Sequence, residues 1–572
     1  MPHKPIKQIN NASHSSWRSR LWLPWTQKIA QKIAHTLARL DGVLLWTIVA
    51  ISLLPLIPLF TSWFEFDGQL WQHLWQTQLP ELLGNTISLM LIVGVTSFLL
   101  GTSLAWLVVM YDFPGRNLLQ WGLMLPLAIP PYIFAFVLLG FTDYQGPLQK
   151  LLQIMGLGVN WLPDIRNVWG VGLVFSLSLY PYVYLLMRSA LQRKGRTSYE
   201  SARTLGYSKA GAFWRLVIPL TRPAWIAGLA LVLMETLADF GAVSIFNFDT
   251  FTTAIYKSWF GFFSASTAAQ LACILLLFVA LSVIAEKWGR GQSRYDQSGS
   301  SLKHYRQPLS EAGAWGYLAQ FGAWFIFALG FVLPISQLLF WAISSFDHHT
   351  QGTLDLLWHT VLLAVAAALM TLLVAAIMVW ALVSKKQSKK NSKSNGLRQA
   401  GAEIAQLGYA LPGTVLAVGI MLMLNYFDDA IAAMTGVKGQ WLAAGVFALL
   451  LAYVIRFLRI GYGPLASSMG QIKPSVIEAA RSLGADQKER VTRVYIPLLR
   501  PGVLTALLLV FVEVMKEMPA TLLLRPFGWD TLAVRIYELT SEGEWQLAAL
   551  PGVLLVAIGI LPVIYLIKKS EV

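Results

Sequence analysis

Twelve apolar stretches, each about as long as a bilayer is thick, recur through the 572 residues and constrain the fold more than any other feature. A hydrocarbon core of about 30 Å takes roughly 20 helical residues to cross. The stretches lie near 42–61, 86–110, 119–141, 168–188, 224–246, 266–285, 317–344, 357–383, 404–426, 440–460, 501–524 and 547–567. With 56% hydrophobic and only 13% charged residues, the chain lacks the polar surface a soluble domain of this size needs. Many of the 23 Trp stand near the ends of apolar runs, where interfacial aromatic belts form. The expected class is an all-α polytopic membrane protein.

The net charge of +15 does not indicate nucleic acid, because the Lys and Arg fall between the apolar runs and not along one surface. Lys4, Lys7, Arg18, Arg20, Lys28, Lys32 and Arg39 make a basic tail over residues 1–40 with no short cleavable apolar segment near Met1. With the tail in the cytoplasm, the loops carrying Arg193, Lys194, Arg196, Lys287, Arg290, Arg294, Lys385, Lys386, Lys389, Lys390 and Lys393 are cytoplasmic too, whereas 62–85 and 345–356 on the other side contain no Lys or Arg. The positive-inside bias therefore predicts twelve spans with both termini cytoplasmic. Cys273, the single cysteine, lies within an apolar run and reads as a packing residue.

The chain repeats itself. Glu200-Ser201-Ala202-Arg203-Thr204-Leu205-Gly206 returns 278 residues later as Glu478-Ala479-Ala480-Arg481-Ser482-Leu483-Gly484. At the same offset Pro219 matches Pro497, Arg222-Pro223 matches Arg500-Pro501, and Glu235 matches Glu513. Six spans separate the copies, so the halves run parallel. The expected organisation is a first half over 41–290 with a cytoplasmic elbow at 196–220, a polar linker over 291–315, and a second half over 316–572 with an elbow at 474–498. In each elbow two short helices flank a glycine, Gly206 or Gly484, that permits a sharp turn, and Pro219 or Pro497 marks the boundary before the next span. The plainer alternative is two amphipathic hairpins with Glu–Arg pairs worth about 0.2–0.5 kcal/mol each. Identical spacing in two copies argues against it.

The pattern E-A-A-x-x-x-G-x(9)-I-x-L-P in these elbows resembles the signature loop of binding-protein-dependent ABC import permeases; the first copy departs at Ser201, Leu216 and Ile218. That resemblance implies a type I ABC importer fold, with Glu200, Ala202, Gly206, Pro219, Glu478, Ala480, Gly484 and Pro497 in elbows that dock on two separate ABC ATPase subunits, and a soluble substrate-binding protein on the outer face of a bacterial inner membrane. Ala238-Asp239-Phe240-Gly241-Ala242 and Lys516-Glu517-Met518-Pro519-Ala520, with Asp249-Thr250 and Asp530-Thr531 beyond them, are similar to segments of the fused ferric-iron permeases of this superfamily, implying Fe(III) as substrate. Thiamine, phosphonate and polyamine permeases are relatives and stay open. The chain has no G-x-x-x-x-G-K-[ST] loop and no H-E-x-x-H, so it is expected to be non-catalytic and to carry no cofactor, with ATP and Mg bound by the partner ATPase.

Ionisable residues inside spans are the remaining signal. At about 1.5 Å per residue from Pro223, Glu235 sits roughly 18 Å and Asp239 roughly 24 Å along its helix, within the bilayer. Their four-residue spacing predicts one helix face, repeated by Glu513 and Glu517 with Lys516 added. Intramembrane charges face a bundle interior or an aqueous path, so these five residues are the candidate substrate pathway. The alternative is a structural role, with Lys516 neutralising an acid. Tyr180, Tyr182 and Tyr184 read as interfacial aromatics, and Asp347-His348-His349 as a solvated loop; no metal site is assigned. An ion-coupled secondary transporter would explain the spans and acids but not the elbows.

Overall fold

The computed structural model describes residues 42–570 apart from 67, 145, 157–162, 193–195, 291–306, 347–351, 387–391 and 487–488. The basic tail, most of the linker and Asp347-His348-His349 lie outside the described residues. Among the described residues the fold is helical, with one two-residue parallel pairing in which Tyr111–Asp112 meets Gln307–Pro308. The pairing ties the end of the linker to the loop after the first half's second span.

Among the described residues eight helices are long and apolar enough to cross a membrane, or up to eleven if each bent pair counts as one span, and Ala549–Leu561 is a shorter apolar helix. Several of the expected apolar runs are thus bent or interrupted along their length. Proline causes one class of irregularity. The wide π-helical turns Phe213–Val217, Ala328–Val332 and Arg490–Tyr495 each end two residues before a proline, Pro219, Pro334 and Pro497. A proline lacks the N–H for the usual ladder and crowds the carbonyl four residues back, which the wider turn relieves.

Within each half the same three helices pack together. In the first these are Leu79–Met110, Val168–Ala190 and Arg222–Ala238; in the second, Thr353–Lys386, Val446–Gln471 and Ile496–Lys516. The first trio is drawn close by small residues, as bilayer packing favours. A Cβ on Gly101 or on Gly228 would come within 2.6 or 2.7 Å of Val183.

The halves interlock. Helix Pro131–Thr142 of the first half packs against Leu333–Ser344 of the second, while Gly413–Thr435 of the second packs against Leu56–Thr61, Phe251–Phe260 and Ala265–Arg290 of the first. One apolar core accordingly contains Phe136 and Phe175 together with Tyr453 and Val510.

Candidate functional site: a central cavity and two elbows

Four helix breaks, two per half, bring the site together. After a 3₁₀ turn at Leu125–Ala128 the chain runs extended through Ile129 and Pro130 before helix Pro131–Thr142; after Gln406–Ala410 it does the same through Leu411 and Pro412 before Gly413–Thr435. Pro130 and Pro412 have ψ of 143° and 142°. The other breaks fall at the acids. Helix Arg222–Ala238 ends before Asp239, and Gly241–Ile245 starts anew; Ile496–Lys516 ends before Glu517, and Pro519–Leu524 follows. Asp239 and Glu517 both have φ of −71° with extended ψ.

This corrects the expectation that Glu235 and Asp239, or Glu513 and Glu517, share a helix face. Asp239 instead caps the next short helix, its Oδ1 accepting from the Ala242 N–H at 2.8 Å and the Val243 N–H at 3.4 Å. Glu517 does the same with Oε1 and the Ala520 N–H at 3.2 Å. Non-helical backbone at membrane depth needs partners in the protein, and side chains supply them. Arg456 Nη1 donates to Leu411 O at 2.8 Å, Lys516 Nζ to Leu127 O at 3.2 Å, Thr252 Oγ1 to Asp239 O at 2.7 Å and Thr521 Oγ1 to Glu517 O at 2.6 Å.

All five candidate pathway residues, Glu235, Asp239, Glu513, Lys516 and Glu517, line one cavity of about 120 Å³ between the halves. Tyr182, Tyr409, Arg456 and Ser178 also line it. The offset of 278 residues relates most of these positions: Glu235 to Glu513, Asp239 to Glu517, Ala238 to Lys516, and Ser178 to Arg456. The acids are thus shared by the halves, whereas both cations come from the second. Arg456 Nε lies 3.0 Å from Glu517 Oε2, and Tyr409 donates to Glu235 Oε1 at 3.1 Å. The carboxylate of Glu513 accepts no hydrogen bond from any described residue.

Tyr180 and Tyr184 are buried in the core and not interfacial, while Tyr182 borders the cavity. Among the described residues no three His, Cys, Asp or Glu side chains form a metal-holding cluster. Tyr409 and Arg456 were not singled out from the sequence. Arg456 stands four residues before the end of the expected span 440–460, whereas its helix continues to Gln471 and carries it to the cavity.

The elbows are built alike. Helix Arg196–Thr204 ends with Gly206 at φ +90°, and Pro474–Ser482 ends with Gly484 at φ +85°. Both form a Schellman turn: Gly206 N donates to Arg203 O and Tyr207 N to Ala202 O, each at 3.1 Å; Gly484 N donates to Arg481 O and Ala485 N to Ala480 O, each at 3.0 Å. Each elbow packs near the C-terminal end of its half's second span, where Trp106 meets Tyr199 and Phe213 edge-on at 5.0 and 4.8 Å, and Trp380 meets Tyr495 at 5.8 Å. Ala202 is buried and Ala480 half-buried, whereas Glu200 and Glu478 are exposed. Leu205 and Leu483, matched by the repeat, are 78% and 88% exposed at the tips.

The prolines differ from expectation. In the first half the boundary before the next span is not at Pro219 but at Thr221, where the chain bends by 71° between Lys209–Leu220 and Arg222–Ala238. Pro497 ends no span: beyond its π-helical turn it occupies the first turn of Ile496–Lys516, and Arg490–Lys516 runs as one helix.

Residues 97–288 and 391–569 each match the family described as binding-protein-dependent transport system inner membrane component. The chain belongs to that family. This permease is 28% identical over 503 residues to the Fe(3+)-transport system permease protein FbpB 2 of Haemophilus influenzae, covering 87% of this chain and 91% of the relative. It is 25% identical to the ferric transport system permease protein FbpB of Actinobacillus pleuropneumoniae, over 88% and 74% of the two chains. The sulfate transport system permease protein CysT of Escherichia coli is 27% identical over 44% of this permease and 92% of its own length. A whole relative thus matches less than half of this permease, as a fusion of two half-units requires. The protein is a multi-pass inner-membrane permease subunit of the ABC importer type.

Proposed function

We propose that this permease carries ferric iron inward across the bacterial inner membrane, driven by two ABC ATPase subunits beneath its elbows and supplied by a soluble binding protein on the opposite face. The observation that carries the transport reading is the shared cavity, where helix breaks from both halves meet at four acids. The paired elbows support a coupling role: each offers an exposed leucine just before its glycine turn and is joined to the span that ends at a cavity acid. ATP and Mg belong to the partner, and both termini and the 291–315 linker lie in the cytoplasm. ATP closure of the two ATPases moves the elbows together, and the halves rock about the interlocked core to change which side the cavity faces.

Iron is favoured by the two ferric relatives, which match across both halves, and by the acids of the cavity. The sulfate relative and the cavity's two cations favour an anion instead. Both cations are engaged, however, Arg456 by Glu517 and Leu411 and Lys516 by Leu127, so neither of these two faces the cavity unbonded. The test is reconstitution of this permease with its ATPase and binding protein in liposomes, followed by ATP-dependent uptake of radiolabelled ferric iron and of sulfate in parallel. Iron without sulfate is expected; sulfate alone would overturn the substrate reading.

A further inference from the structure

The cavity's acids divide into two sets. Asp239 and Glu517 are committed to capping the short helices beyond the breaks, and Glu517 is neutralised by Arg456. Among the described residues Glu235 accepts one hydrogen bond, from the Tyr409 hydroxyl, and Glu513 accepts none. A second observation is independent of the acids. Ser178 is 2% exposed, lines the same cavity and leaves its Oγ without a hydrogen-bond partner among the described residues, a costly state for a buried hydroxyl that rotation of the side chain toward an occupant of the cavity would relieve. Tyr182 contributes another phenol from the same helix one turn on.

We propose that Glu235 and Glu513, with the hydroxyls of Tyr409, Tyr182 and Ser178, form an all-oxygen waypoint for a hard metal cation stripped of any chelator. The proposal rests on the reading that the transported substrate is a metal ion and specifies where in the permease that ion pauses. Hard cations select carboxylate, hydroxyl and water oxygens. Four acids against two cations give the lining a formal charge of −2, and the two uncommitted carboxylates come from symmetry-related positions. At about 120 Å³ the cavity holds an ion and several waters, since one water needs about 10–15 Å³, but is small for an ion wrapped in an organic ligand. Two carboxylates without a third protein acid make a site weak enough to release its ion, as a pathway requires.

The full-length permease in nanodiscs of zwitterionic phosphatidylcholine is titrated with terbium(III) chloride, a trivalent hard cation whose emission is sensitised by nearby aromatic rings. The wild type should show a saturable component, and Glu235→Gln with Glu513→Gln should weaken it about tenfold or more at unchanged melting temperature. Asp249→Asn, on an exposed ion pair with Lys257 that does not line the cavity, should leave it intact. If the double variant is unstable, Glu513→Gln alone, which removes no hydrogen bond to a described residue, should still weaken binding. A titration unchanged in the Gln variants, or no saturable component in the wild type, overturns the proposal. Binding needs neither ATPase nor transport, so a negative result here is separable from failure of the importer reading.

Discussion

Arg456 and Glu517 face each other in the second half with Nε 3.0 Å from Oε2, at 11% and 6% side-chain exposure. Each also holds backbone at a helix break, Arg456 at Leu411 O and Glu517 at the Ala520 N–H. Removing one partner of such a pair leaves a buried charge unmatched, at about 3–5 kcal/mol. Arg456→Met should therefore lower the melting temperature of the purified permease strongly. Arg456→Met with Glu517→Leu should recover only part, because the two backbone groups still lose their partners at about 1–3 kcal/mol each. An Arg456→Met protein as stable as the wild type would contradict the structural role.

At the elbows, a Cβ on Gly206 or Gly484 would meet no atom within 4 Å, so any penalty comes from positive φ and not from crowding. A non-glycine residue in that region costs about 1–2 kcal/mol, least for Asn. Gly206→Val with Gly484→Val should insert normally yet lose ATPase co-purification and uptake, while the Asn pair keeps both in large part. Equal behaviour of the Val and Asn pairs would remove the turn from the coupling mechanism.

Orientation is tested by compartment-sensitive reporters fused after Lys287 and after Lys389, both of which should report cytoplasm. A single extracytoplasmic signal would show that the spans between them are paired differently.

The two uncommitted acids bear on transport directly. Glu235→Gln with Glu513→Gln keeps size and hydrogen-bonding capacity, so assembly with the ATPase and ATP hydrolysis should persist while iron uptake falls sharply. Wild-type uptake by a well-expressed double variant would confine these acids to a structural role.

Much of this architecture is legible in the sequence because its causes are local or repeated. Apolar length specifies a membrane protein, the 278-residue offset specifies two parallel halves, and the glycine in each elbow anticipates the positive φ at Gly206 and Gly484. The helix breaks at Asp239 and Glu517 do not show in residue spacing, because a spacing count assumes the helix continues. A local signal was present: an acid two residues before Gly241 or Pro519 reads as a cap opening a new helix. Arg456 and Tyr409 carry no such signal. Their roles arise from Glu517, which follows Arg456 by 61 residues, and from Glu235, which lies in the other half. The interlocking of Pro131–Thr142 and Gly413–Thr435 with opposite halves likewise depends on tertiary packing alone.

Whether a partner's ATP hydrolysis drives transport through this permease is decided by iron accumulation in proteoliposomes holding the permease, its ATPase and its binding protein, with the energy source varied. Accumulation should require ATP and persist when proton and sodium gradients are collapsed by ionophores. Accumulation driven by either gradient without ATP would contradict the account and identify an ion-coupled carrier.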